Sequence, residues 1–327
     1  MLFFDQQMNT DPSPKKAAFV TLLGRPSSGK STLVNRLCGE RVAIVSPVPQ
    51  TTRNAIRGIV NSGQGQLVLV DTPGIHQSTK KFNQHLTGTA FRAASESDLI
   101  LYVLDASRAP GPEEEAIAER CRALVLETDN RIPLVVTVTK MDLDSSDLER
   151  ALEFLNVRFP LLEKKYIIPI SAQQNEGMDR LLSALLELAP AGEAFYPEDC
   201  YTDQEIDFRI AEIIRGAAIR FLHQELPHSI YVEVADRELR SPEKSNGDNS
   251  DTQRTMRLWV RAFIICERES QKGMIVGKGG KIIKAIGEIS RKELNRIFDW
   301  KIDLDLRVKT GKDWRHNDRI LQKILDR

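Results

Sequence analysis

The sequence has few cysteines, and they stand far apart. The four cysteines (Cys38, Cys121, Cys200 and Cys266) show no paired spacing, which argues against a disulfide framework and against a zinc site. No apolar run approaches the ~18 residues that a membrane span needs, and the N-terminal segment lacks the apolar core of a signal peptide. Lys and Arg (46) balance Asp and Glu (46), so net charge carries no global signal. We expect a cytoplasmic protein with reduced thiols.

At 327 residues the chain is long enough for two domains. We predict a flexible N-terminus (1–16), a first domain (17–190), a linker (191–202) and a second domain (203–327). In the first domain, short apolar strands alternate with helical patterns, which indicates an α/β fold with a mostly parallel sheet and helices on both faces. Strands are expected at 17–23, 55–61, 66–71, 98–104, 133–139 and 166–170, and helices at 30–38, 83–95, 112–126, 147–157 and 177–188.

The most informative motif is G-R-P-S-S-G-K-S, from Gly24 to Ser31, between a predicted strand and a predicted helix. Gly29 lets the backbone pass close to phosphates, and the helix N-terminus favours their negative charge. Lys30 can reach the β- and γ-phosphates, and Ser31 can ligate Mg²⁺. A simple Gly/Ser hairpin is the alternative, but the lysine would serve no turn geometry. The predicted phosphate-binding residues are Ser27, Ser28, Gly29, Lys30, Ser31 and Thr32.

A second motif, D-T-P-G, follows a predicted apolar strand. A carboxylate at Asp71, opposite the phosphate loop, is placed to hold Mg²⁺. Gly74 has no side chain, so its N–H can meet a γ-phosphate directly. Alone, the motif is typical of a plain turn; after a phosphate loop, the metal site is favoured.

Guanine selection is predicted from T-K-M-D, after the next strands. The carboxylate of Asp142 could accept hydrogen bonds from the N1–H and the 2-amino group of guanine, a pair of donors that adenine lacks. Lys140 can lay its methylene stem on the base. The backbone of Ser171, Ala172 and Gln173 could contact the guanine oxygen. Thr139, the first residue of T-K-M-D, is the remaining predicted nucleotide-binding residue.

These segments resemble, in order and spacing, the small translation-factor-like GTPases over residues 17–190. The resemblance implies a threonine in P-Q-T-T-R that binds Mg²⁺ when the γ-phosphate is present; Thr52 is the first choice and Thr51 the second. Ser31, Thr52 and Asp71 would then hold the ion. Residues 41–54 and 74–84 would be switch segments. Catalysis would rest on Lys30, Thr52 and Gly74, through positioning and charge neutralisation.

Three positions depart from the common pattern of these GTPases. Ile75 replaces a glutamine that orients water in many of them, so hydrolysis should be slow without a partner. Thr139 replaces the usual asparagine, although a hydroxyl can still bridge loops. Ser27 stands where some relatives carry an asparagine tied to potassium, which argues against potassium activation.

The second domain is centred on the glycine-rich segment 272–283, K-G-M-I-V-G-K-G-G-K-I-I. The order helix, strand, strand, helix, GKGG loop, helix, strand is typical of an α+β type II KH domain, with a mobile loop predicted at 236–254. Such a loop brings backbone against a sugar–phosphate chain, and lysines supply phosphate contacts. A glycine-rich helix connection with solvated lysines is the alternative. The predicted RNA contacts are Lys272, Ile275, Val276, Gly277, Lys278, Gly279, Gly280, Lys281 and Lys284.

From about Phe19 to its end the chain resembles the Era family of bacterial ribosome-assembly GTPases. Beyond the nucleotide motifs, P-E-D-C-Y-T-D, E-L-P-H-S (225–229) and G-M-I-V-G-K-G-G-K-I-I carry the resemblance. It implies Mg²⁺ and GTP or GDP as ligands, binding near the 3′ end of 16S rRNA, action on the maturing small ribosomal subunit, and no DNA partner. It also leaves peripheral contact with the inner membrane open, although no basic amphipathic helix is strong enough to predict it.

Two other functions remain open from the residues. The chain could be an RNA-binding module that senses GTP with negligible turnover, which Ile75 and Ser27 favour. It could be an ATP-using P-loop enzyme such as a kinase, against which Asp142 and the lack of a lid argue.

Overall fold

A six-stranded sheet forms the centre of the first domain. In this computed structural model, which describes residues 14–75, 81–126, 132–241, 256–312 and 314–325, its strand order is β2-β3-β1-β4-β5-β6. Only β2 runs antiparallel to its neighbour; the other pairs are parallel. All six predicted strands are present: β1 (Lys16–Leu23), β2 (Ile56–Ser62), β3 (Gly65–Asp71), β4 (Leu99–Asp105), β5 (Leu134–Thr139) and β6 (Ile167–Pro169).

Helices cover both faces of this sheet. On one face, α1 (Lys30–Cys38) and α5 (Met178–Leu188) bury their apolar sides against the strands. On the other face lie α2 (Lys81–Ser95), α3 (Pro112–Leu126) and α4 (Leu148–Arg158). A sheet buried on both faces needs strands that are apolar throughout. Every residue of β4 and β5 is buried, and all are apolar except Asp105 at the end of β4 and the threonines Thr137 and Thr139 of β5.

The second domain builds a three-stranded sheet with helices on one face. Its elements are α6 (Ile206–Ile219), β7 (Ile230–Arg240), β8 (Arg257–Cys266), α7 (Glu269–Val276), a 3-10 turn (Lys278–Gly280), α8 (Lys281–Ile297) and β9 (Lys301–Thr310). β7 is antiparallel to β8, and β8 is parallel to β9. α6 and α8 pack their apolar sides on the sheet. This is the predicted order of a type II KH domain.

The predicted loop at 236–254 begins too early. β7 continues to Arg240, and its last residues pair with 257–261 of β8 after an irregularity between Val234 and Asp236. These residues are exposed and, apart from Leu239, polar, so the apolar pattern that marks a buried strand is missing. The rest of the predicted loop, from 242 on, lies outside the described residues, as do residues 1–13 of the predicted flexible N-terminus.

The predicted linker packs along the edge of the first sheet. Tyr201 accepts a hydrogen bond through its carbonyl from the N–H of Ile59 in β2. The buried side chain of Gln66 accepts from the N–H groups of Phe195 and Tyr196 and donates to the carbonyl of Tyr196. These contacts satisfy an edge that would otherwise expose unpaired backbone groups.

The C-terminal segment returns to the first domain, which the sequence analysis did not foresee. After β9, a short 3-10 turn (Trp314–His316) precedes α9 (Asp318–Leu325). Trp314 and Leu321 are buried against Leu86 of α2. The four cysteines are free thiols, as predicted. None of the described helices combines the length and the apolar character that crossing a membrane requires.

Candidate nucleotide and RNA sites

An open cleft of about 540 Å³ lies at the carboxyl ends of the parallel strands. This is the place where open α/β sheets bind ligands. Three predicted groups meet there: the phosphate loop (26–32), part of the first switch segment, and the motif residues Gly74, Lys140 and Gln173. The exposed Arg108, which the sequence analysis did not select, also lines it. Asp71 and Thr139 do not line the cleft but form hydrogen bonds with Ser31 and Ser28, which do. Asp142, Ser171 and Ala172 do not line it either.

The three predicted magnesium ligands lie within hydrogen-bond distance of one another. The Ser31 hydroxyl donates to Asp71 Oδ2 at 2.6 Å, and the Thr52 hydroxyl lies 3.0 Å from Ser31 Oγ and 3.3 Å from Asp71 Oδ2. The other carboxylate oxygen, Asp71 Oδ1, is buried without a hydrogen-bond partner among the described residues. A hard cation that prefers oxygen ligands fits this set. It is Thr52, rather than Thr51, whose hydroxyl completes the set.

Burial perturbs the two charged groups of this centre in opposite directions. It raises the pKa of Asp71 to about 6, against the effect of Lys30 and of the hydroxyls of Ser31 and Thr52. It lowers the pKa of Lys30 to about 8, partly offset by Asp71 and Glu114. Both charged groups are thus held away from water. The site therefore favours an anionic ligand group beside Lys30 and a cation beside Asp71. The Lys30 ammonium donates to the carbonyls of Gly24 and Arg25, at 2.9 and 3.0 Å.

Gly74 lies directly against the phosphate loop. A Cβ atom at this position would stand 2.5 Å from Pro26 Cα and 2.6 Å from Pro26 N, so only glycine fits. The next residue, Ile75, donates its N–H to the carbonyl of Gly24 at 3.1 Å, and its side chain is buried in the core. Ile75 therefore presents no side chain that could orient water. Residues 76–80 of the second predicted switch lie outside the described residues.

The predicted guanine-binding residues are linked to the phosphate loop and to each other. The Thr139 hydroxyl donates to the carbonyl of Ser28 at 2.7 Å, so it bridges the loops as expected of the missing asparagine. The Ser171 hydroxyl donates to Asp142 Oδ1 at 2.7 Å. Arg36 of α1, which the sequence analysis did not select, holds the following loop through the carbonyls of Ala172 and Gln173, at 2.8 and 3.0 Å.

A buried ionic network supports Lys140 from behind. Its ammonium donates to Asp105 Oδ2 at 2.7 Å. Although burial opposes ionisation of Asp105, hydrogen bonds from Lys140 and Ser107 hold the pKa of this carboxyl below its usual value. Arg25 lies 3.7 Å from the same carboxylate and 3.1 Å from Glu114, whose pKa is raised by burial. Asp105 could have been selected from its place in the sequence, because it ends strand β4 at the edge of the sheet where ligands bind.

The GKGG segment of the second domain forms an exposed turn between α7 and α8. Its three glycines have positive φ angles, 73° at Gly277, 61° at Gly279 and 76° at Gly280, which L side chains rarely adopt. Lys278, Lys281 and Lys284 are exposed around the turn. Lys272 forms an ion pair with Glu269 at 3.0 Å. The backbone at this turn is thus open to a phosphate chain.

The apolar part of the predicted RNA surface needs one correction. Ile275 is fully buried in the core of the second domain, so it cannot floor a groove. Val276 is half-buried and stays in the set. Met274, which was not selected, is 57% exposed and presents the apolar surface that Ile275 does not. A continuous run of three apolar residues, Met274 to Val276, does not show which side chain enters the core and which stays at the surface.

Comparison with known proteins identifies the family. A family model described as a 50S ribosome-binding GTPase matches residues 19–140, and a KH domain model matches residues 225–315. GTPase Era of Treponema denticola is 46% identical over 305 residues, which cover 93% of this chain and 98% of that protein. GTPase Era of Borreliella afzelii is 40% identical over 95% of this chain and 100% of its own. The chain belongs to the Era family of GTPases.

Solved Era structures share the whole architecture. A crystal structure of Era in complex with MgGDPNP and nucleotides 1506–1542 of 16S ribosomal RNA has a TM-score of 0.82 at 30% identity, over 95% of this chain and 98% of that one. A variant of Era from Aquifex aeolicus bound to GDP and AlF₄⁻ has a TM-score of 0.81 at 30% identity, with the same coverage. The predicted fold, a P-loop GTPase domain followed by a KH domain, is confirmed, and this member of the Era family is a GTPase.

Proposed function

We propose that this GTPase binds GTP with Mg²⁺ in the cleft of its first domain and binds 16S rRNA near the 3′ end through its KH domain, and that it assists maturation of the small ribosomal subunit. One observation carries the proposal: a single chain joins a cleft with a buried lysine and an oxygen-ligand set to an exposed GKGG turn. The Era relative solved with MgGDPNP and 16S rRNA supports both halves.

In the nucleotide cleft, we assign the residues to charge neutralisation and positioning. Lys30 binds the β- and γ-phosphates, and the N–H of Gly74 approaches the γ-phosphate. Ser31, Thr52 and Asp71 hold Mg²⁺, which when bound neutralises charge on the phosphate oxygens. Asp142 accepts from the guanine donors and Lys140 covers the base, while the Ser171–Gln173 loop closes the far side. The chain offers no described general base, so the hydrolysis step relies on preorganised charge.

At the KH domain, we assign backbone at the GKGG turn to the sugar–phosphate chain. Lys278 and Lys281 neutralise phosphates, and Val276 with Met274 offers apolar surface to unstacked bases. Sequence-specific RNA recognition favours single-stranded ends and loops, which suits the 3′ terminus of an rRNA better than a duplex. We therefore expect no affinity for double-stranded DNA above the non-specific level.

The setting of this function is part of the same proposal. The small ribosomal subunit is the assembly that contains 16S rRNA, so we place the protein in the cytoplasm with the maturing particle. Peripheral association with the inner membrane stays an expectation drawn from the family resemblance alone.

The proposal is tested by two titrations on the full chain. One measures GDPNP, GTP and ATP binding in the presence of Mg²⁺, and the other measures binding of a 3′-terminal 16S rRNA fragment as salt is raised. We expect guanine nucleotides to bind and ATP not to compete. We also expect Lys278→Ala to reduce the salt slope by roughly 0.7 relative to the unmodified chain. Competition by ATP, or an rRNA affinity no higher than that for an unrelated RNA, would overturn the assignment.

A further inference from the structure

Three consecutive residues of the first switch segment are held from two sides. Thr52 turns its hydroxyl toward Ser31 and Asp71 in the proposed magnesium set. The carbonyl of Thr51 accepts a hydrogen bond from Arg215, a fully buried residue of α6 in the second domain. Arg53 inserts its whole side chain into the second domain and is only 4% exposed. The nucleotide site and the KH domain thus share one short stretch of backbone.

The guanidinium of Arg53 donates hydrogen bonds to three carbonyls at the start of β7 and in the turn before it. One of its nitrogens donates to the carbonyl of Ile230 at 2.8 Å, and the other donates to the carbonyls of His228 and Pro227, at 3.2 and 3.3 Å. The central carbon of the guanidinium, Cζ, lies 5.7 Å from the ring centroid of Trp314 and 5.7 Å from the ring centroid of Phe82 in α2. One residue therefore contacts β7, the C-terminal segment and the start of α2, which lies within the second predicted switch segment.

Neighbouring contacts make the attachment continuous. The amide of Asn54 donates to the carbonyl of Ile324 in α9 at 2.9 Å, and the amide of Gln204 donates to the carbonyl of Val42 at 2.8 Å. Arg41 forms an ion pair with Glu293 of α8 at 2.7 Å. Since these contacts span residues 41–54, the first switch cannot leave the nucleotide cleft as a unit without releasing the KH domain.

This attachment is also incompletely satisfied. Arg53 Nε, Arg215 Nη1 and Asn54 Oδ1 are buried and have no hydrogen-bond partner among the described residues. The three residues line a small cavity between the domains, of about 30 Å³, with room for about one water molecule. Buried polar atoms of this kind are paired either by an ordered water or by new partners in a second arrangement of the interface. An interface of this kind suits an element with two discrete arrangements.

We propose that Arg53 is the positioning residue that couples the two sites: it holds Thr52 in the metal-binding arrangement when the KH domain is docked, and it releases the KH domain when the first switch leaves the γ-phosphate. The inference deepens the proposed function and rests on it. It assigns to one named side chain a coupling that thermodynamics makes reciprocal, so rRNA must change GTP affinity by the same factor as GTP changes rRNA affinity.

The test compares the full chain with Arg53→Ala and a matched control, Arg158→Ala. Arg158 ends α4, is 45% exposed and pairs with Glu115 of α3 at 2.6 Å. Its loss therefore removes the same charge and an ion pair within the first domain, without touching the nucleotide cleft or the contacts between the domains. Affinities for GDP and for GDPNP with Mg²⁺ are measured with and without a 3′-terminal 16S rRNA fragment. GDP affinity reports folding, because GDP lacks the γ-phosphate that the first switch engages.

In the unmodified chain we expect rRNA to change GDPNP affinity by about 5- to 150-fold, the usual range for coupled sites. Arg53→Ala should bring this factor below about twofold and lower the ratio of GDPNP to GDP affinity at least fivefold, with GDP affinity kept. Arg158→Ala should behave as the unmodified chain. If Arg53→Ala fails to fold, Arg215→Met breaks the link to Thr51 from the other domain and should reduce the factor in the same direction.

The outcomes separate the two claims. If the unmodified chain binds GDPNP and rRNA but Arg53→Ala keeps the full coupling factor, the role of Arg53 is wrong and the proposed function stands. The same holds if the unmodified chain binds both ligands without any coupling. If the unmodified chain binds neither guanine nucleotides nor rRNA, the proposed function itself fails.

Discussion

Replacing Gly74 by alanine should separate GTP binding from GDP binding. The added Cβ atom would stand 2.5 Å from Pro26 Cα and 2.6 Å from Pro26 N, which are backbone atoms that cannot swing aside. Ordinary contacts of this kind begin at 3.4 Å. The D-T-P-G segment and the phosphate loop must therefore move apart by about 1 Å, a displacement that is large on the scale of catalytic positioning.

The size of the effect follows from the hydrogen bond that is lost. The N–H of Gly74 is proposed to donate to a γ-phosphate oxygen, and hydrogen bonds to charged groups contribute about 1.5–3 kcal/mol. GDPNP affinity should thus fall by about 10- to 150-fold. GDP has no γ-phosphate, so its affinity should change little. Single-turnover hydrolysis of GTP should slow by at least the same factor, because the interaction strengthens as charge develops on the transferring group.

Equilibrium titration with GDP and GDPNP measures this prediction. Gly88→Ala is the matched control: Gly88 lies exposed in α2, and nothing stands within 4 Å of the added Cβ. That change should leave both affinities intact and stabilise the helix by up to about 1 kcal/mol. If Gly74→Ala binds GDPNP within twofold of the unmodified chain, the close approach of Gly74 to the γ-phosphate is refuted.

Three further outcomes are expected. Asp142→Asn should lower GTP affinity about 100-fold or more and favour xanthosine triphosphate. The reason is that an amide can donate to the 2-oxo group of xanthine but cannot accept from both guanine donors. Titrations with GTP and xanthosine triphosphate measure the change. Gly280→Asp should abolish rRNA binding and spare GDP affinity, whereas Gly63→Asp, in an open turn of the first domain, should spare both; gel-shift titration decides. Hydrolysis without RNA should be slow, on the order of 10⁻⁴ s⁻¹, and equal in potassium and sodium given Ser27; phosphate release that rises severalfold in potassium would contradict this.

The fold was predictable because its signals are local. Six apolar strands, each followed by a turn or a helical pattern, indicate a mostly parallel sheet whose motif-bearing loops share one edge. The same logic placed Lys30, Ser31 and Asp71 in one centre, since the carboxyl ends of neighbouring parallel strands must meet. The strand residues 236–240 escaped prediction because they are held by backbone pairing with β8 and bury no apolar face.

The supporting residues of the nucleotide site were only partly accessible from the sequence. Arg25 lies in the phosphate-loop motif and Asp105 ends β4, yet nothing in a linear pattern says that Arg25 approaches both Asp105 and Glu114 of α3. Glu114 itself appears in a run of three glutamates that is typical of a solvated first helical turn. The structure buries it completely. The pattern of charged residues along a sequence predicts solvated helix faces. It does not reveal a carboxylate that is buried beside an arginine.

The contacts between the domains were not predictable for a different reason. Trp314 and Leu321 bury their side chains by packing on Leu86 of α2, more than two hundred residues earlier. Arg53, read from the sequence, is one more arginine in a polar loop. Only the folded chain shows that its carbonyl partners belong to the other domain. A residue that couples two sites acts through partners that are distant in the sequence. Such partners leave no periodic pattern in the residues around it.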